Sequence, residues 1–324
     1  MSRINYLRIS VTDRCNFRCR YCIPEGTKKF IPHSEILRYE EITEIVRVFT
    51  EFGIDSVRLT GGEPLVRKGI ESLIVQIREL KEIKDISLTT NGFFLSEKVK
   101  SLKEHGLDRV NISIDTLEPE KFGFITGTGD TRALSRVLHG LEKAIEEGLN
   151  PVKVNTVLIK GFNDKEIESF VKLSENYRVE VRFIELMPVG GKFFSRKNFV
   201  SSTLIKKQIE KNFGKLIPVK TRGNGPAKSF IVEGTNAKLG FVSPISEHFC
   251  SSCNRVRLTS DGKLRLCLMS DKDIDLKTII RNPTYRRPHL REVITEALLR
   301  KINIDGIRAL ENRGCLRKMF TIGG

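Results

Sequence analysis

Six strand patterns, five of them followed directly by a helical one, occupy the first two thirds of the chain, and that alternation leaves few folds open. The strand patterns fall at 6–12, 56–60, 85–91, 109–115, 152–159 and 179–187. Helical periodicity falls between them at 34–52, 69–83, 96–105, 131–148 and 164–176. Strands separated by helices run parallel, joined by right-handed crossovers, so the reading is an α/β fold around a parallel sheet. Six repeats predict a partial (β/α)6, TIM-like barrel rather than a complete eight-fold one, with an open doubly wound sheet as the alternative. The rhythm changes after residue 215. Short strands at 216–220, 229–232 and 238–242 lead to a hairpin over 254–268 that turns at Asp261-Gly262, followed by helical segments at 276–281 and 289–301. The expected organisation is therefore a barrel unit over 1–215 and a smaller α+β extension over 216–324. The Arg- and Pro-rich run 284–301 fits no motif.

The strand faces predict what the barrel holds. Leu7, Ile9 and Val11 alternate with Arg8, Ser10 and Thr12, and Val57 and Leu59 with Arg58 and Thr60. Ser87, Thr89 and Asn91 share a face, as do Asn111, Ser113 and Asp115, and Lys153 and Asn155. An ordinary barrel fills its interior with Val, Ile and Leu. A face that is polar in five strands instead predicts a wide lumen for a hydrophilic ligand. The net charge of +16, from 56 Lys and Arg against 40 Asp and Glu, adds to this. No basic run is interleaved with aromatics, so no nucleic-acid partner is expected. Most of the excess reads as a Lys- and Glu-rich surface, with some basic residues left for a polyphosphate. No stretch has the length and apolarity of a membrane span, and a cytoplasmic protein without a membrane partner is expected.

Six of the seven cysteines fall into two triads. Cys15-Asn-Phe-Arg-Cys19-Arg-Tyr-Cys22 follows the first strand, and Cys250-Ser-Ser-Cys253 is completed by Cys267 across the hairpin. Cys315 stands alone and reads as an inert thiol. Such clustering in a chain read as cytosolic points to metal or redox chemistry rather than disulfides. Three thiolates on a four-iron cluster leave one iron open to a small ligand. Zinc, which closes a structural site with four ligands, is the alternative. It is stronger at the second triad, where His248 is a possible fourth ligand.

The C-x3-C-x2-C loop, with Tyr21 before its last cysteine and Gly61-Gly62-Glu63-Pro64 closing the second strand, resembles the radical S-adenosylmethionine superfamily. The whole chain is similar to one of its families, the GTP 3′,8-cyclases of molybdenum cofactor biosynthesis. The likeness rests on Leu7-Arg-Ile-Ser-Val-Thr-Asp-Arg-Cys15, Val57-Arg-Leu-Thr-Gly-Gly-Glu-Pro64, Thr89-Thr-Asn-Gly92, Asn111-Ile-Ser-Ile-Asp115, Lys153-Val-Asn-Thr-Val157, Arg182-Phe-Ile-Glu-Leu-Met187 and the terminal Gly323-Gly324.

The resemblance implies two 4Fe-4S clusters, on Cys15, Cys19 and Cys22 and on Cys250, Cys253 and Cys267. It implies S-adenosylmethionine at Tyr21, Gly62, Ser113 and Met187, and GTP at Arg8, Arg58, Thr89, Lys153, Arg255 and Arg257. It also places Arg255, Arg257, Gly323 and Gly324 in the catalytic centre. The implied reaction removes hydrogen from C3′ of GTP and joins C3′ to C8 of guanine, giving 3′,8-cyclo-7,8-dihydro-GTP. The implied partners are a reductant protein and the next enzyme, which makes cyclic pyranopterin monophosphate. A monomer or a homodimer is compatible with the sequence.

Overall fold

The computed structural model describes residues 4–23, 30–189, 193–270, 272–302 and 319–323; Cys315 and Gly324 lie outside the described residues. Six parallel strands form its centre: β1 (Tyr6–Ser10), β2 (Ser56–Thr60), β3 (Asp85–Thr90), β4 (Arg109–Ser113), β5 (Val152–Leu158) and β6 (Glu180–Glu185). Between them run α1 (Tyr39–Thr50), α2 (Ile70–Arg78), α3 (Leu95–Glu104), α4 (Pro119–Thr126), α5 (Ala133–Glu146) and α6 (Ile167–Tyr177). The strand–helix repeat is the α/β arrangement that the alternation predicts. The outward strand residues Leu7, Ile9, Val57, Leu59, Ile112 and Val154 are fully buried in the main core.

The later elements are α7 (Ser202–Phe213), β7 (Leu216–Val219), β8 (Lys228–Val232), β9 (Lys238–Val242), β10 (Arg255–Leu258), β11 (Lys263–Arg265), β12 (Asp273–Asp275), α8 (Lys277–Ile280), α9 (Arg287–Ile302) and α10 (Met319–Ile322). They extend the same sheet at both edges. β10 pairs parallel with β1 and carries β11 and β12; β9 pairs parallel with β6 and carries β8 and β7. The result is one twelve-stranded sheet whose end strands, β12 and β7, do not pair with each other. The sheet is a curled partial barrel with a C-terminal extension.

Three elements, α4, α7 and β12, lie outside the expected pattern, although α7 carries Ile205, Ile209 and Phe213 at helical spacing behind the Ser201 cap. α4 is eight residues long and includes Gly123; β12 is three residues, Asp-Ile-Asp. The helical pattern at 34–52 begins later than its periodicity suggests. A 3-10 turn occupies His33–Glu35, and α1 starts where the Glu41 carboxylate accepts the Arg38 N–H at 2.7 Å.

Parallel register lines up the polar side chains in rows. Arg257, Arg8, Arg58, Ser87 and Arg109 face across five adjacent strands. Thr89, Asn111, Lys153 and Glu180 form the next row, and Ser113, Asn155 and Arg182 the one above. The β7–β8 loop crosses the N-terminal ends of these strands. Asn224 Nδ2 donates to Ser56 Oγ at 2.6 Å and Lys153 Nζ to the Arg222 carbonyl at 2.9 Å.

Candidate active site and its two cysteine triads

The first triad sits on the loop that leaves β1, at the C-terminal edge of the sheet. Two neighbours clamp it. From β2, Gly62 N donates to Thr12 O at 2.7 Å and Glu63 N to Arg14 O at 2.8 Å. A Cβ at Gly62 would lie 2.4 Å from Arg14 O, so only glycine lets these backbones meet. From α4, the Thr126 and Ile125 carbonyls accept from Arg18 N and Arg20 N. The capping Gly127, at φ +66°, lies where a Cβ would be 2.8 Å from Arg18 O. The glycines of Gly61-Gly62 thus serve first the cysteine loop itself. Glu63 holds the rim in place: its buried carboxylate accepts from Thr90 Oγ1, Asn91 N and Leu65 N, and burial pushes it up to about 7.

The thiols of this loop are starved of solvation. Burial pushes Cys15 and Cys22 up to about 12. Burial also pushes Cys19 well above the ordinary thiol value, with the Cys22 and Cys15 charges next in weight. Zinc closes a structural site with four ligands, whereas this loop supplies three thiols. Soft sulfur donors in threes fit an iron–sulfur cluster with one iron open. Tyr21 O–H donates to Asp115 Oδ2 at 2.7 Å, and Asp115, itself pushed up to about 6 by burial, also accepts Val157 N at 2.9 Å. Ser113 ends β4, one row above Asn111.

The second triad lines a cavity whose lining does not include Cys15, Cys19 or Cys22. Cys250, Cys253 and Cys267 all line it, together with Arg8, Arg58, Arg182, Arg255, Arg257 and Met187. The β10–β11 hairpin, turning at Asp261-Gly262, returns Cys267 to the other two. Here the electrostatics are reversed. Burial pushes the Cys253 thiol up, but Arg255 and then Lys301 outweigh it and bring it down to about 7. The donor set again fits an iron–sulfur cluster.

The cavity wall is strongly cationic. Burial, then Arg257, hold Arg8 well below its usual value; burial brings Arg58 and Arg257 down to about 10. Burial pushes the Tyr6 phenol up, yet Arg58, Arg8, Arg109 and Arg255 outweigh it and bring it down to about 8. A polyanion would relieve this crowding of guanidinium groups. Thr89 and Lys153 stand behind the lining. Thr89 Oγ1 accepts from Arg58 Nη1 at 3.1 Å, and Lys153, fully buried, donates to Glu180 Oε2 at 2.7 Å. Glu180 also accepts Arg182 Nε at 2.7 Å, and Arg182 and Lys153 overcome burial to hold it down to about 2.

The C-terminal helix closes the arrangement. The Phe320 N–H donates to Cys22 Sγ, and Arg257 Nη1 donates to the Gly323 carbonyl at 2.6 Å. Gly323, at φ +71°, is threaded between Ser10 and Thr60, with a built Cβ 2.5 Å from Thr60 Cγ2. Met187 packs with Leu268, Met269 and Met319 around Val189 and Ile322.

Tyr6, Asn111, Asn155, Arg182 and Lys301 also line the cavity, without having been singled out in the sequence as site residues. Asn111, Asn155 and Arg182 lie on polar strand faces, and the alternation that picked out Arg8 and Lys153 reaches them too. Lys301 comes from α9 and carries no such signal.

The chain matches the Radical SAM superfamily model over residues 9–174 and the Molybdenum Cofactor Synthesis C model over 179–304. It is 47% identical to a GTP 3′,8-cyclase of Thermodesulfovibrio yellowstonii over 99% of this chain and 98% of the relative. It is also 47% identical to the GTP 3′,8-cyclase of Alkaliphilus oremlandii, with the same coverage. Among solved structures it resembles Streptococcus suis SuiB bound to S-adenosylmethionine, at TM-score 0.58 and 16% identity over 86% of this chain and 66% of that one, a likeness of fold. The clamped cysteine loop, the cationic cavity and these matches agree, and the chain belongs to the GTP 3′,8-cyclase family of the radical S-adenosylmethionine superfamily.

Proposed function

We propose that the protein cyclises GTP to 3′,8-cyclo-7,8-dihydro-GTP, the first step of molybdenum cofactor biosynthesis. The observation that carries this reading is the row of guanidinium groups that shares one cavity with the second cysteine triad, on the sheet whose first strand leads into the first triad. Cys15, Cys19 and Cys22 hold one 4Fe-4S cluster and Cys250, Cys253 and Cys267 a second. A cluster held by Cys15, Cys19 and Cys22 would supply the electron for reductive cleavage of S-adenosylmethionine, the chemistry needed to take hydrogen from C3′ of the ribose.

The chain's own residues position and shield. Tyr21, Gly62, Ser113 and Met187 seat the S-adenosylmethionine. Arg8, Arg58, Arg255 and Arg257 bind the triphosphate by charge-assisted hydrogen bonds, with Thr89 orienting Arg58 and Lys153 completing the GTP contacts through the Glu180–Arg182 cluster. These contacts would orient the ribose toward the guanine, while Gly323, held by Arg257, would help to exclude water. A reductant protein delivers two electrons, one to cleave S-adenosylmethionine and one, with a proton, to quench the radical left once C3′ has joined C8, and the product passes to the enzyme that forms cyclic pyranopterin monophosphate.

Anaerobic incubation with GTP, S-adenosylmethionine and dithionite tests the reading by product mass and iron content. The expected result is a nucleotide isomeric with GTP and about eight irons per chain, two four-iron centres. Absence of both overturns it. Deletion of Gly323-Gly324 is expected to abolish cyclisation, and full activity in that truncation would remove the tail from the mechanism.

A further inference from the structure

The two triads have opposite electrostatic surroundings. At the first, the Asp115 and Glu63 carboxylates bear on the thiols, with Arg18 acting against them more weakly at Cys15, and the side-chain donor to Cys15 is the neutral Asn91 amide, at 3.8 Å. At the second, Cys253 Sγ accepts from Lys301 Nζ at 3.5 Å and from Arg255, while Arg257 lies close enough to feel both Cys253 and Cys267. Lys301 is 9% exposed and lines the cavity. It is the last lysine of α9, a helix anchored to α1 through Arg287–Glu44 and Arg291–Glu51. A long flexible cation is thus delivered from a surface helix to one sulfur of the second triad.

We infer that Lys301 is a positioning residue that sets the reduction potential of the second iron–sulfur centre above that of the first. A reduced cluster carries one more negative charge than the oxidised one. A buried ammonium on a ligating sulfur therefore favours the reduced form, and hydrogen bonds to sulfur and net charge are the protein's levers on potential. The carboxylates beside the first triad act in the opposite sense. That suits a centre that must be strongly reducing, while the second is held where it takes and keeps an electron more readily. The inference rests on the two-cluster reading above.

The test is an electron-paramagnetic-resonance redox titration of anaerobically reconstituted, full-length protein, wild type against Lys301→Met and Lys301→Arg, with iron counted for each. In Lys301→Met, the second centre's midpoint is expected to move to more negative potential and the first centre's to stay. Lys301→Arg, which keeps the charge, should restore the wild-type value. The neutral donor variant Lys301→Gln gives a second measurement should methionine disturb packing, and it too should move the second midpoint down. Two centres with unchanged midpoints in both neutral variants would overturn the inference. Loss of the second centre's iron from both neutral variants would overturn it in favour of a purely structural role. A wild-type protein holding one four-iron centre would instead overturn the two-cluster reading, and this proposal with it.

Discussion

At the residue scale, the cysteine loop is set by contacts too close for any side chain. Gly62→Ala places a methyl group 2.4 Å from Arg14 O, against backbone that cannot swing away. The loop must lift, and the three thiols with it. The expected outcome is loss of the first centre's iron with the second retained, and a fall of at least about 100-fold in cofactor cleavage, since misplacement by an ångström has that cost. Iron analysis and a cleavage assay check it, and full iron content in the variant would contradict it. Glu180 gives a different kind of test. It joins Lys153 and Arg182 in a buried cluster, so Glu180→Gln leaves two buried cations short of their counter-charge and costs about 3–5 kcal/mol, as for other broken buried pairs. Its folded-state value, about 2, lies below the ordinary 4.5, so the carboxylate contributes stability above pH 4.5 and loses it as the pH falls toward 2. The stability gap between wild type and Glu180→Gln, measured by denaturant titration, should therefore be full at pH 6 and shrink below pH 4.5.

At the element scale, the Arg- and Pro-rich run 284–301 that fits no motif forms a clamp together with Arg281, which precedes it. Arg281 donates to Glu41 by Nε at 2.8 Å and Nη2 at 3.0 Å, and to the Ile36 carbonyl; Tyr285 O–H and Arg287 meet Glu44. All the acidic partners lie on α1. Glu41 is 4% exposed, so Arg281→Ala leaves a buried carboxylate short of its partner, at a cost of about 1–3 kcal/mol. Thermal unfolding should show the loss, whereas Arg291→Ala, removing an exposed pair, should change stability by about 0–1 kcal/mol. These contacts also explain what was legible. The six parallel strands are readable because each alternates apolar and polar residues within itself, as in Leu7-Arg8-Ile9. The cysteine triads are readable because their spacing is local. The clamp joins residues about 240 apart, and α4 is short and glycine-containing, so neither leaves a periodic trace. Arg182 was within reach, since it lies in register with Asn155 on the polar face. Lys301 was not, because nothing in the sequence of α9 says which sulfur its end approaches.

At the scale of the whole molecule, the division at residue 215 meets a sheet that runs through it. β1 has β2 on one side and β10 on the other, and β6 has β5 on one side and β9 on the other. Both outer neighbours come from beyond residue 215, so the six-stranded unit alone presents two unpaired parallel edges. Parallel strands are normally covered on both faces and at their edges, and open edges of apolar strands template association. β1 and β6 are such strands, with Leu7, Ile9, Val181 and Phe183 fully buried. The fragment 1–215 also lacks the Phe320 N–H on Cys22 and the β7–β8 loop across the strand ends. We therefore propose that the two sequence units fold as one cooperative body. The fragment 1–215 is expected to aggregate, and the full chain to unfold in a single transition whether followed by circular dichroism or by tyrosine fluorescence. A monomeric fragment with native-like circular dichroism, shown by sedimentation, would make the barrel an independent domain and the C-terminal strands an accessory to it.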